Sequence, residues 1–280
     1  MTEPMSEKKS RELAYYASGP TPFYACAYDQ RFSYCLYVPP MPSSGRYRLV
    51  VLVHGTNRPA EGYRDAFSEF GRSHDAIIMA PLFPANISGP GDLSGYKRIR
   101  HEGIAYDNVL LAMVDEVRAQ FPTEERFFLH GFSGGGHFAH RFLYAHPRAL
   151  SAVSIGAPGI VTLLDEEVDW PIGTRNFAEL FGEAPDRDAI ARVPTQVVVG
   201  GQDTETWEIS LRPGDGWWQP GAEWQQDATR IVRAVTLTES LRASGCEVQF
   251  DLIPGVAHNG RELVPSVQGW MSKLIQIGQI

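Results

Sequence analysis

The sequence predicts an α/β fold: a mostly parallel central sheet with helices on both faces and an antiparallel hairpin at its N-terminal edge. Three observations carry this expectation. Short apolar, β-branched runs alternate with segments of helical spacing from residue 47 to the C-terminus. Such alternation implies right-handed crossovers between parallel strands. Ahead of it, two segments rich in aromatic and β-forming residues, 23–28 and 32–38, are joined by Asp29-Gln30-Arg31 and read as a hairpin.

The elements follow in order. Residues 1–22 read as a loosely ordered arm with a short helix near 10–16. The hairpin ends at Pro39-Pro40. Residues 47–53 form a strand that stops at His54-Gly55, and Phe67 and Phe70 give residues 63–73 helical spacing. Residues 76–80 are a buried strand stopped by Pro81. A helix spans 107–120, with Val109, Leu110, Met113, Val114 and Val117 on one stripe. Strands at 127–130, 150–155, 196–200 and 248–253 alternate with helices at 134–145, 222–243 and 264–275. Residues 160–193 break the rhythm with scattered apolar residues, acidic clusters and prolines. They are expected to form a cap-like insertion over the top of the sheet, partly helical around 176–181. A second irregular patch, 210–221, carries Trp217 and Trp218. Neither patch looks able to fold alone, so residues 1–280 are expected to form one domain.

Composition narrows the function. With 43% hydrophobic and 21% charged residues, the 280-residue chain suits a soluble protein with a sizeable core. The net charge is −8 and no lysine- or arginine-rich run occurs, which argues against nucleic acid or an anionic membrane as partner. The first ten residues are polar and read as no signal peptide, so the cytoplasm is the default compartment. Cys26, Cys35 and Cys246 are sparse, odd in number and without metal-ligand spacing. They read as buried free thiols, although Cys26 and Cys35 could face each other on neighbouring strands.

The richest stretch is Arg126-Phe127-Phe128-Leu129-His130-Gly131-Phe132-Ser133-Gly134-Gly135-Gly136-His137. An apolar run enters G-x-S-x-G and a helical pattern leaves it. A strand ending at Gly131 must turn sharply to begin a helix at Gly134, which strains Ser133 and presents its hydroxyl at a helix N-terminus. Side chains at Gly131 or Gly135 would collide across that turn. A serine hydroxyl needs a base, and the base needs a group that fixes its tautomer. The base candidate is His258, in the loop between the last strand and the last helix. The plainer reading is a surface histidine in a turn. Among the other histidines, His137 is the nearest rival, and as a residue one helical turn past Ser133 it is expected to point into packing. His54 is expected to shape its own loop. The orienting acid is Asp203, after the Val197–Gly200 run and a Gly-Gly turn. Its plainer reading is a loop aspartate bonding its own backbone, and Glu205 and Asp215 are alternatives. For a developing oxyanion, Gly134 supplies one backbone N–H, and Thr56 or Asn57 the second. Arg58 reads as solvated, with carboxylate binding as the alternative.

These residues resemble the α/β-hydrolase superfamily over most of the chain, from about residue 47 onward. The resemblance rests on His54-Gly55, on Gly131-Phe132-Ser133-Gly134-Gly135, on Asp203 after a strand and on His258 in the final loop, in the superfamily order nucleophile, acid, histidine. Within it, the Gly134-Gly135 pair and the leading hairpin are similar to bacterial carboxylesterases, including those grouped with polyhydroxyalkanoate depolymerases and feruloyl esterases. The chain carries Thr56-Asn57 where the hormone-sensitive-lipase group has further glycines.

The resulting expectation is a serine hydrolase acting on a carboxylic ester, with no metal and no cofactor. Thioester, amide, lactone or carbon–carbon cleavage by the same triad stays open, as does a ligand-binding member of the fold that has lost catalysis. A dinucleotide-dependent enzyme is disfavoured, because Gly131 to Gly136 lacks the G-x-G-x-x-G spacing. Tryptophans near the expected rim, Trp170, Trp207, Trp217 and Trp218, suggest a partly aromatic pocket for a small apolar or aromatic substrate. Equally, they read as rings packing the irregular segments onto the sheet. A small molecule is the expected partner, and a homo-oligomer is compatible with the sequence.

Overall fold

A computed structural model describes residues 17–280. The expected helix near residues 10–16 lies outside the described residues. Strand β1 (Gly19–Pro20) already pairs with β3 (Ser33–Val38), as does β2 (Tyr24–Ala25), both antiparallel. The leading hairpin is therefore present, with its first arm reduced to short pieces along β3. The parallel body follows: β4 (Arg48–Val53), β5 (Ala76–Leu82), β8 (Phe127–Phe132), β9 (Leu150–Gly156), β10 (Thr195–Gly200) and β11 (Val248–Ile253). A small antiparallel ribbon, β6 (Arg100–His101) and β7 (Ile104–Ala105), stands apart and carries no sequence signal. The sheet runs β1-β3-β5-β4-β8-β9-β10-β11, with β3 antiparallel to β5 and every later pair parallel. β8 and β10 are buried along their whole length, which is why they read as continuous apolar runs.

Helices α1 (Ala60–Ala66), α2 (Ser68–Ser73), α3 (Tyr106–Gln120), α4 (Gly134–Ala145), α5 (Phe177–Phe181), α6 (Arg187–Ala191), α7 (Arg230–Ala243) and α8 (Gly260–Gln276) occupy the connections. The apolar stripe of α3 is buried as expected. Several boundaries differ from the sequence reading. The segment at 63–73 is two helices, breaking at the fully buried Phe67. Strand β5 continues through Pro81 to Leu82. Its pairing to β4 has ended at Met79, so on that side Pro81 lies at an edge, where a missing N–H is tolerated. The helix expected from 222 starts at Arg230, where the Thr229 hydroxyl caps it by accepting from the Val232 N–H at 3.3 Å. Conversely, α8 starts earlier than expected, capped by Asn259, and passes through Pro265.

The insertion at 160–193 contains α5 and α6, and of its residues Ile160 lines the space at the serine. It lies beside α4 and α7: Tyr144 donates to the Thr162 carbonyl, Leu164 N–H bonds Ser240, and Arg187 bonds Ser244. The segment 208–217 contributes more of that lining. Two fully buried arginines fasten these irregular pieces. Arg141 donates to Thr162 and to the carbonyls of Lys97, Ile160 and Pro171, and Arg233 donates to the carbonyls of Ala228, Gly159, Ile209 and Gln225. Cys26, Cys35 and Cys246 are buried and free. Among the described residues no helix is long and apolar enough to cross a membrane.

Candidate active site

Parallel strands place all their carboxyl ends at one edge of the sheet, and the loops that leave β4, β8, β10 and β11 meet there. The turn after β8 is as tight as its sequence requires. A Cβ on Gly131 would stand 2.0 Å from the Gly135 carbonyl oxygen, so only glycine fits. Ser133 has φ 57° and ψ −113°, a left-handed conformation that a serine adopts only under constraint. The constraint is visible: its N–H bonds the Gly156 carbonyl at 2.8 Å, and its carbonyl accepts the His137 N–H at 3.0 Å to open α4.

The loops after β10 and β11 are tied together. Gly201 N–H bonds the Ile253 carbonyl and Gln202 N–H bonds the Val256 carbonyl, each at 2.8 Å. A side chain on Gly200 would strike the Val256 carbonyl at 2.3 Å, so the two loops close only over a glycine. This contact brings Asp203 to His258. The His258 Nδ1–H donates to Asp203 Oδ2 at 2.6 Å, which leaves Nε2 as an acceptor, and the Ser133 hydroxyl donates to it at 3.0 Å. The ring lies over Phe132, with centroids 4.7 Å apart. Asp203 is 1% exposed, and its other oxygen takes Arg230 at 3.3 Å. The Asp203 carboxylate thus bonds His258 and Arg230, and His258 faces the serine. Asp215 instead accepts its own loop's Arg212 N–H at 2.6 Å.

Gly55, Thr56 and Asn57 line the space in front of Ser133, and a Cβ on Gly55 would lie 3.9 Å from Ser133 Oγ. Arg58 is neither solvated nor free for a ligand. Its guanidinium donates to the carbonyls of Phe83, Thr56 and Leu93 and thereby holds the loop. His54 does the same from inside, donating Nδ1–H to the Gly55 carbonyl at 2.8 Å and accepting the Phe83 N–H on Nε2 at 3.0 Å. His137 points into packing, as expected, where Nε2 accepts the N–H groups of Gly159 and Ile160.

Ser133 opens on two cavities. One, of about 270 Å³, lies on the His258 side and is walled by Pro59, Tyr63, Phe132 and Arg261. The other, of about 320 Å³, lies on the Gly134 side among Lys97, Ile160, Leu211, Trp217 and Arg230. Glu208 and Thr56 border both. Of the tryptophans proposed for the pocket only Trp217 lines it. Trp207 is 77% exposed and away from both cavities. Trp218 packs in a satellite apolar cluster with Ile160, Ile172 and Leu211. Trp170 is buried against Phe177 and Phe181, with centroids 5.5 and 5.1 Å away. The lining is thus partly aromatic, through Tyr63, Phe132 and Trp217, with charged and polar residues beside them. The sequence reading missed Lys97, Glu208 and Arg230. Lys97 and Glu208 lie in irregular segments with no periodicity, and Arg230 was absorbed into an overlong helix.

Burial depresses the pKa values of His54 and His130 to about 4, and those of His137 and His140 fall well below the usual value, with the Arg141 charge adding to burial for the latter two. The folded state keeps these rings neutral, while the unfolded chain protonates them near pH 6.5. Their contribution is complete above that pH and is lost as pH falls from about 6.5 to about 4. Each proton taken up on unfolding steepens the loss by about 1.4 kcal/mol per pH unit. The urea midpoint is expected to drop steeply across this window, and a flat profile would contradict neutral burial.

No protein-family model matches the sequence, and no curated protein matches it. Solved structures do. LpqC, a poly(3-hydroxybutyrate) depolymerase from Bordetella parapertussis, superposes with a TM-score of 0.73 at 25% identity, covering 93% of each chain. Poly(aspartic acid) hydrolase-1 from Sphingomonas sp. KT-1 gives 0.69 at 22% identity, over 85% of this chain and 92% of that one. A ferulic acid esterase gives 0.58 at 14% identity, over 92% and 98%. The chain has the α/β-hydrolase fold, in the form shared by these esterases and depolymerases.

Proposed function

We propose that this protein is a serine hydrolase that cleaves a carboxylic ester of a small substrate through an acyl-enzyme intermediate. The observation that carries the reading is the continuous proton path from Ser133 Oγ to His258 Nε2 at 3.0 Å and from Nδ1 to Asp203 at 2.6 Å. Ser133 attacks the carbonyl carbon while its proton passes to Nε2, and buried Asp203 stabilises the imidazolium that results. The oxyanion is met by the Gly134 N–H and by one from Thr56 or Asn57. His258 returns the proton to the leaving oxygen, the alcohol departs, and a water activated by the same ring releases the acid from Ser133. The ester cleavages named for the structurally similar depolymerase and ferulic acid esterase favour an ester over the other bonds this triad could attack. The Tyr63, Phe132 and Pro59 wall suits an apolar or aromatic group on the alcohol side. In this reading the protein works as one domain on a small molecule in the cytoplasm, a compartment that suits three unpaired cysteines.

A fluorophosphonate probe tests the reading directly. Labelling is expected at Ser133 and is expected to vanish in Ser133→Ala. An unlabelled, folded wild-type protein would refute it and favour a ligand-binding member of the fold.

A further inference from the structure

The two cavities divide a substrate into its two halves. The leaving oxygen must reach His258 Nε2, and only the first cavity is walled by His258, so the alcohol lies there. The acyl half then extends past Gly134 into the second cavity. Lys97 waits beside that path: its Cε lies 2.8 Å from where a Cβ on Gly134 would stand. Its Nζ bonds Ser94 Oγ at 3.1 Å, and among the described residues it forms no ion pair with a carboxylate. Both acids on the cavity wall are engaged: Glu208 is bound by Arg230 at 2.8 Å, and Asp215 accepts a backbone N–H.

We infer that the second cavity binds a carboxylate carried on the acyl half, with the Lys97 ammonium as its anchor, so that the substrate class is a half-ester of a dicarboxylic acid. The inference rests on the serine-hydrolase reading. Two further observations support it. Burial holds the Lys97 pKa down to about 8, with Arg58 and Arg230 lowering it further and Glu208 and Asp92 only partly compensating. A bound carboxylate favours the charged ammonium against that burial. The fully buried Arg141 guanidinium, stacked 5.0 Å from the Trp217 ring that lines the cavity, adds positive potential, and among the described residues it has no carboxylate partner. The apolar side chains of Ile160, Ile209 and Leu211 leave space for a short methylene chain between the two carbonyl groups.

The test compares monobenzyl succinate with benzyl pentanoate, which have the same alcohol and similar acyl length, by benzyl alcohol release. Wild type is expected to prefer the half-ester in kcat/KM. Lys97→Met is expected to lower the ratio of half-ester to neutral ester by about tenfold to a hundredfold, the usual worth of a charge-assisted contact, and Lys97→Arg to restore most of it. A wild type that hydrolyses the neutral ester, with a ratio unmoved by Lys97→Met, overturns the carboxylate site alone. A folded wild type that cleaves neither ester and takes no fluorophosphonate overturns the hydrolase reading and this inference with it.

Discussion

His258→Ala is expected to lower kcat by about 10⁴- to 10⁶-fold, the range for removing the base of a serine triad. His137 cannot take its place. His137, one turn along α4 from Ser133, has its Nε2 occupied by two backbone N–H groups, and burial with the Arg141 charge keeps the ring from becoming the cation that catalysis needs. The change leaves the fold alone. The loop carrying His258 is held by main-chain bonds, Gln202 to Val256 and Asn259 to Ala257, and the ring is only half-buried. Thermal unfolding is therefore expected to stay within a few degrees of wild type. Near-normal turnover by the variant would remove His258 from the mechanism.

Asp203→Asn is expected to cost about 10⁴-fold in kcat with the backbone geometry kept, because an amide can donate to Nδ1 and turn the imidazole to the wrong tautomer. The structure adds a second effect. Asp203 is buried between His258 and Arg230, and Arg230 is 2% exposed with Glu208 as its other acid. Neutralising Asp203 leaves that cation with less compensation, so a fall in melting temperature accompanies the loss of rate. Circular dichroism at the assay temperature separates the two. A folded Asp203→Asn protein with undiminished kcat would show that His258 needs no carboxylate.

Ser133, Asp203 and His258 were legible as a candidate site because each sits in a loop directly after an apolar strand. The turn geometry of Gly131-Phe132-Ser133-Gly134-Gly135 is local, and the carboxyl-edge position of Asp203 and His258 follows from strand direction alone. Helix boundaries were less legible where capping and periodicity disagreed. Thr229 caps α7 at a point that the apolar pattern ran past, and Asn259 starts α8 ahead of a proline that reads as a helix beginning. How the insertion is fastened was not legible, because its composition says only that it is irregular. Trp170 belongs to a cluster with Phe177 and Phe181, a contact among residues several positions apart in a segment with no repeat.

By itself the sequence determined the order of the parallel strands and of the longer helices between them, the strained serine turn and the edge of the sheet where the loops of Ser133, Asp203 and His258 meet, since all of these follow from periodicity, glycine sterics and the parallel direction of consecutive strands. Only the tertiary structure decided which side chains face the serine from elsewhere in the chain: Lys97 and Glu208 toward the cavities, Arg230 against Asp203, Trp217 in and Trp170 and Trp207 out. Those positions are set by where irregular segments are fastened, through Arg141 and Arg233 to backbone carbonyls far away in sequence. Long-range hydrogen bonds of that kind leave no periodic trace in the residues they hold.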